Sequence, residues 1–99
     1  MEKNRHETLF WYLFAGTRGG LNRARILQAL AGRPYNINQL SGKLGMDYKT
    51  AMHHLGVLME NGLVMPGEKR YGGLYFLSGF AEGNMGLLRE IWKKLGKGR

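Results

Sequence analysis

The sequence predicts a mainly α-helical domain with a small β-hairpin, and three observations lead to that prediction. Helix-capping residues recur at short spacing between Asn22 and Gly62. Two short runs rich in aliphatic and aromatic residues follow at 63–65 and 74–77, as in paired strands. Apolar residues at 81–95 then recur in alternating steps of four and three, which is typical of a helix.

The composition is strongly basic, with 15 Lys and Arg against 7 Asp and Glu and a formal net charge of +8. Such an excess favours a polyanionic partner, either nucleic acid or an anionic membrane surface. The longest apolar run, 9–15, is shorter than the roughly 20 residues that cross a bilayer, so we expect no membrane partner. The chain contains no cysteine, which excludes thiolate metal sites and fits a reducing compartment, so we expect a cytoplasmic protein.

The first core helix is predicted to begin at its N-cap, Asn22, and to end at Gly32. Leu21 and Ile26 occupy the positions of a hydrophobic staple over such a cap. The solvent face of this helix is expected to carry Arg23, Arg25 and Gln28.

Two more helices are predicted in close succession. Asn36 and Gln39 form a capping-box pattern at the start of the second helix, which ends at Gly45. Asp47 then caps a third helix, 47–61, so the connection is a turn of about three residues. A turn of this kind joins helices at a steep angle, as in a helix-turn-helix.

The third helix is predicted to separate a buried side from an outward side. By helical spacing, the buried side consists of Ala51, Leu55, Leu58 and Met59. The outward side consists of Tyr48, Lys49, Thr50, Met52, His53 and Val57. This outward mixture is unusual for a purely solvated helix face, which is normally richer in Glu and Lys.

The order of elements predicts a winged helix-turn-helix, because the strand-like runs form a hairpin with a basic loop at 66–73. Its core is assigned to 20–78. Additional helices are expected at 1–15 and 79–96, which completes a single domain over the 99 residues. Periodicity alone leaves helix and strand open for 9–15, and the uninterrupted approach to that run favours a helix.

Three segments of the core resemble a known family. These segments are 16–20, then 47–50 with 53–55, and finally 58–64. They resemble the ArsR-like winged-helix transcriptional regulators, particularly small archaeal members. The resemblance implies a regulator that binds double-stranded DNA. The family includes metal-sensing repressors, but their cysteine motifs are absent here, so no metal and no cofactor is expected.

A recognition helix turns its N-terminal residues toward the base edges of the major groove. The residues expected to bind DNA there are Tyr48, Lys49, Thr50, His53 and His54. Lys49 suits guanine or a phosphate, and Thr50 suits a base edge or a thymine methyl group. His54 lies at the margin of the buried side, where packing or a phosphate contact is favoured over base reading.

Two further groups of basic residues are candidates for DNA contact. The hairpin loop is expected to reach the backbone or the minor groove through Lys69, Arg70 and Tyr71. A charged turn without a contact is the alternative for this loop. Arg18 and Arg23 flank the start of the first core helix, where a phosphate contact and simple surface solvation are equally favoured.

The terminal segments are expected to form a homodimer, because they carry more apolar residues than a small three-helix core needs. The residues assigned to the interface are Leu9, Phe10, Leu13, Met85, Leu88, Trp92 and Leu95. The alternative is that these residues complete the core of the monomer.

The sequence thus predicts a dimeric repressor that reads double-stranded DNA, and it contains no pattern of catalytic residues. The two serines, Ser41 and Ser78, do not lie in a nucleophile elbow, and Gly19-Gly20 lacks the residues of a phosphate-binding loop, so no enzyme is expected. Two alternatives are a winged helix that docks a protein partner and a chromatin or RNA binder that tolerates any sequence.

Overall fold

The structure, a computed structural model, describes residues 5–68 and 72–95. Its elements are α1 (Arg5–Phe14), α2 (Gly20–Gly32), α3 (Ile37–Leu44), α4 (Tyr48–Glu60), β1 (Val64–Pro66), β2 (Tyr75–Leu77), α5 (Gly79–Gly83) and α6 (Met85–Lys94). The two strands pair antiparallel, with Val64 opposite Leu77. The predicted fold class, mainly helical with one small hairpin, is confirmed.

One hydrophobic core joins the helices. Helix α2 packs against α1, α3, α4 and β2, while α6 packs against α1 and α5. The largest fully buried side chains are Phe10, Leu13, Ile26, Leu27, Leu40, Leu55, Leu58, Leu63, Leu88 and Ile91. Because α1 and α6 both contribute to this set, the terminal helices are part of the core of the monomer.

The packing of the terminal helices shows that part of the predicted dimer interface is wrong. Residues 9–14 are helical, as favoured from the sequence. Phe10, Leu13 and Leu88 have no surface left for a partner chain, since each is at most 1% exposed, so the assignment of these three to an interface is wrong. Their burial fits the alternative that they complete the monomer core.

Helix α2 begins at Gly20, before the predicted N-cap Asn22. The N-cap is Gly19, whose φ of 88° lies in the left-handed region that suits glycine. A Cβ on Gly20 would lie 2.4 Å from the carbonyl oxygen of Phe14, so this backbone must pass close to the end of α1. The earlier start leaves Leu21 exposed, and the predicted staple with Ile26 does not form.

The helix-turn-helix pair α3–α4 forms as the capping residues predict. The Asn36 side chain accepts a hydrogen bond from the Gln39 backbone at 2.8 Å, and the Asn36 backbone donates to the Gln39 side chain at 3.0 Å. Gly45 ends α3 with a φ of 60°, and the Asp47 carboxylate caps α4 by accepting from the Thr50 backbone N–H. These local bonds set the entry of α4, the predicted recognition helix.

The C-terminal segment forms two helices rather than the single predicted one. Ser78 caps α5 by accepting from the Ala81 backbone N–H at 3.0 Å, and its hydroxyl donates to the Gly62 carbonyl at 2.7 Å. The chain then breaks at Asn84, and α6 begins at Met85. Ile91, which lies outside the predicted apolar stripe, is buried together with Leu88, three residues before it on the same face of α6.

Candidate nucleic-acid interface

The outward side of α4 presents a mixed polar and apolar surface near its N-terminus. Lys49 and His53 are exposed, as predicted. Tyr48 and Met52 are 51% and 37% exposed, although both side chains are large and largely apolar. Thr50 is only half-buried and lies beside the Asp47 cap. The first two turns of α4 therefore offer hydrogen-bonding, cationic and apolar groups to a partner.

His54 does not belong to this surface, although it directly follows His53. It is 6% exposed, and its Nδ1 lies 3.4 Å from Nη1 of Arg23. Consecutive residues on a helix point about 100° apart, so His54 faces the core while His53 faces solvent. The assignment of His54 to the DNA-binding surface is therefore wrong, and of the two roles favoured for it from the sequence, packing and a phosphate contact, packing is the one observed.

Arg23 has a structural role. Both roles expected for it from the sequence, a phosphate contact and surface solvation, are therefore wrong. It is only 4% exposed. Its Nε and Nη2 donate to the Leu13 carbonyl at 3.0 and 2.8 Å, and Nη2 also donates to the Thr17 hydroxyl. Nη2 reaches the Arg18 carbonyl as well, at 3.3 Å. The guanidinium thus binds the C-terminal end of α1, where carbonyls lack intrahelical donors and the helix dipole is negative.

The electrostatics of this buried pair favour a neutral histidine. Burial lowers the pKa of His54, and the charge of Arg23 and the proximity of His53 lower it further. Burial also lowers the pKa of Arg23, but a guanidinium remains protonated in proteins. A neutral His54 can accept from Arg23 at Nδ1, whereas a protonated ring would place a second positive charge beside it.

Arg25, also predicted on the solvent face of α2, binds the C-terminal end of α3. It is half-buried, with Nη2 donating to the Leu44 carbonyl at 2.6 Å and Nη1 donating to the Asn22 side chain at 3.3 Å. Arg25 and Arg23 therefore each satisfy carbonyls at the end of a neighbouring helix. Of the two predicted phosphate-binding residues, Arg18 alone keeps an exposed side chain.

A cluster of two basic residues around Tyr35 lies where α2 leads into α3, and it was not predicted from the sequence. The Arg33 guanidinium lies 4.2 Å from the ring centroid of Tyr35, and the Lys43 ammonium lies 5.8 Å from it. Both cations belong to exposed residues. The Tyr35 carbonyl accepts from the Tyr75 backbone at 2.8 Å, which joins this cluster to the hairpin. The sequence signal was weak because the three residues are separated along the chain.

The predicted DNA-contacting residues of the hairpin loop, Lys69, Arg70 and Tyr71, lie outside the described residues. The described flanks of the loop are held together by a hydrogen bond of 2.7 Å from the Gly67 backbone to the Leu74 carbonyl. In the described part of the chain, no helix is long and apolar enough to span a membrane. Within those same residues, no three potential metal ligands of the His, Asp or Glu type lie together.

Comparisons with known proteins agree with this geometry. Residues 22–65 match the family described as bacterial regulatory protein, arsR family. A solved structure of a probable transcriptional regulator from Pseudomonas aeruginosa superposes with a TM-score of 0.66 at 21% sequence identity, over 92% of this chain and 74% of that chain. No curated protein sequence matches the chain.

The matched segment runs from α2 to β1 and contains the whole helix-turn-helix pair. The family that this segment resembles is described as regulatory, which is the kind of protein that the resemblance in the sequence implies. The chain therefore has the winged helix-turn-helix fold, and its residues 22–65 are similar to the arsR family of bacterial regulatory proteins.

Proposed function

We propose that this protein is a sequence-specific transcriptional regulator that binds double-stranded DNA by inserting α4 into the major groove. The observation that carries the proposal is the exposed N-terminal part of α4, with Lys49 and His53 in solvent after a short, tightly capped turn. Helices of this arrangement read base edges with their first turns. The net charge of +8 supplies the sequence-independent attraction to phosphates.

In the proposed complex the hairpin loop, 66–73, contacts the backbone or the minor groove beside α4. Support for this role comes from the position of the loop directly after α4 and β1 and from the basic residues Lys69 and Arg70. Such contacts add affinity without adding sequence preference. Arg18, whose side chain is exposed, is a further candidate for a phosphate contact.

The proposed regulator acts as a homodimer that occupies a nearly palindromic operator in the cytoplasm and blocks transcription. Apolar side chains that remain exposed or half-buried on the terminal helices support a dimer. They are Leu9 and Tyr12 on α1, Met85 and Trp92 on α6, and Leu95 just after it. Tyr12 is 61% exposed and Leu95 is 42% exposed, and a partner chain would remove both side chains from water. Light scattering after size-exclusion chromatography is expected to give twice the chain mass of 11.2 kDa.

The test of the function begins with selection of genomic DNA fragments by the purified protein. The bound fragments are expected to share one motif, and affinity for that motif is then compared with affinity for a scrambled duplex over a salt series. A specific regulator keeps its preference near physiological salt, while non-specific binding falls with a slope of about 0.9 per neutralised phosphate. Equal binding of all duplexes would favour the sequence-tolerant binder, and no binding would favour the protein-docking module.

A double variant tests the proposed role of the hairpin loop. Lys69→Ala with Arg70→Ala is expected to weaken binding to every duplex and to flatten the salt slope. Arg89→Ala with Lys93→Ala is the matched control, because it removes the same charge from exposed residues of α6. If both pairs weaken binding equally, the loop has no specific role and only net charge matters.

A further inference from the structure

The outward side of α4 carries an apolar strip that the fold does not use. Tyr48 and Met52 lie one helical turn apart and are 51% and 37% exposed. Val57 and Met59 on the same helix pack against the hydrophobic core, whereas Tyr48 and Met52 are not among the residues that do so. The fold therefore leaves the Met52 thioether and methyl group available to a partner.

Gly56 continues this strip one turn further along α4. A Cβ at Gly56 would meet nothing within 4 Å, so no packing within the described residues requires a glycine there. A glycine inside a helix costs about 1 kcal/mol relative to alanine. One turn beyond Met52, the partly exposed Gly56 therefore adds no side chain to the helix surface, which allows a partner to approach the backbone closely.

The neighbours of the strip indicate what that partner surface looks like. Lys49 and His53 are exposed and lie next to Met52 on the outward side of α4. These two side chains suit the acceptors and phosphates of DNA, whereas Met52 offers a mainly apolar surface with a weak sulfur acceptor and no donor. In the major groove of DNA the apolar group on a base edge is the C5-methyl group of thymine.

We propose that Met52 is a specificity-determining residue that contacts the C5-methyl group of one thymine in each operator half-site. The inference rests on the proposed function, because it requires α4 to lie in the major groove. The flexible side chain of methionine can adjust its conformation to contact the thymine methyl group while Lys49 and His53 bind polar groups beside it. Gly56 leaves room for the helix to reach the depth at which that contact forms.

The test replaces each thymine of one selected half-site, in turn, by deoxyuridine, which removes only the methyl group. Wild-type protein is expected to lose about fourfold in affinity at one position, the loss that corresponds to one buried methyl group. At that position Met52→Ala is expected to bind the thymine and deoxyuridine duplexes equally. Met65→Ala is the matched control, since Met65 is exposed on β1 rather than on α4, and it should keep the wild-type ratio.

Each failure has a distinct meaning. If wild type binds its motif but no thymine methyl group matters, the proposal for Met52 is overturned while the proposed function stands. If the thymine preference persists in Met52→Ala, another residue reads the methyl group and the proposal is again overturned. If wild type selects no motif at all, the proposed function itself fails. Unfolding curves of both variants check that they fold as the wild type does.

Discussion

The two sides of helix α4 carry adjacent histidines with opposite environments. The ring centroids of His53 and His54 are 5.2 Å apart, yet His53 is exposed and His54 is buried against Arg23. The difference arises from the rotation of about 100° between consecutive residues and from the arginine that α2 places on the inner side. Residue type alone therefore does not assign a role on this helix.

The inner side of α4 connects the helix to the rest of the fold, while the outer side is exposed and is the surface proposed to bind DNA. Through Arg23 the inner side is linked to the Leu13 carbonyl and hence to the end of α1. We therefore expect substitutions on the inner side to change stability and substitutions on the outer side to change binding.

The largest effect is expected for Arg23→Ala, which deletes the guanidinium that binds the end of α1. It leaves the buried Leu13 carbonyl without its donors, and we expect a loss of about 3 kcal/mol in the free energy of unfolding. Urea unfolding measures this loss. Arg18→Ala is the control, because its side chain is exposed and should cost less than about 0.5 kcal/mol. Similar values for the two variants would contradict a structural role for Arg23.

A smaller loss is expected for Gly19→Ala, which tests how closely the α1–α2 turn packs on the inner side of α4. The new Cβ would lie 2.6 Å from Cε1 of His54 and would sit at a φ of 88°. Strain in the left-handed region and the clash together should cost about 2 kcal/mol in thermal or urea unfolding.

The control for this substitution is Gly62→Ala, which shares a positive φ but has open space around it. It should lose less stability than Gly19→Ala, since only the backbone strain remains. In a His54→Ala background the penalty of Gly19→Ala should shrink. An unchanged penalty there would show that the imidazole does not limit this turn.

On the outer side, Gly56→Ala is expected to stabilise the protein by about 0.5–1 kcal/mol, because alanine favours the helix and the new methyl group meets no neighbour. The same variant should bind the selected operator less tightly if DNA approaches the helix backbone. Gly42→Ala in α3 is the control for stability, because its Cβ also enters open space. A stability gain with unchanged operator affinity would contradict a close approach at Gly56.

The smallest change in the free energy of unfolding is expected from protonation of His54. Burial and the nearby Arg23 lower the pKa of His54 below its ordinary value of 6.5. The unfolded chain therefore takes up a proton first as the pH falls, so stability is lost as the pH drops through about 6.5 and toward the lower pKa of the folded state. Urea unfolding of wild type and His54→Gln between about pH 5 and 8 measures this difference. An identical pH dependence in both proteins would refute the inference.

The sequence predicted those parts of the fold that local bonds determine. The capping box of Asn36 and Gln39, the turn at Gly45 and the Asp47 cap each involve residues within one helical turn, and all were placed correctly. The exposed positions of Lys49 and His53 were also predicted correctly, because helical spacing depends only on residues close together in the sequence.

Features that depend on distant partners could not be read from the sequence. Arg23 resembles a solvated arginine until α1 brings the Leu13 carbonyl beside it. Phe10 and Leu88 are apolar residues near the two ends of the chain, and only their packing into one core distinguishes them from interface residues. The break at Asn84 was also missed, because the apolar residues keep their helical spacing across it from 81 to 95.

The central claim is that the outer side of α4 selects a DNA sequence. The most direct measurement compares the affinities of wild type and the Lys49→Ala, Thr50→Ala double variant for the selected operator and for a scrambled duplex at about 0.15 M salt. Wild type is expected to prefer the operator by about a thousandfold or more, and the double variant should lose at least about tenfold of that ratio. An operator preference unchanged in the double variant would contradict the account.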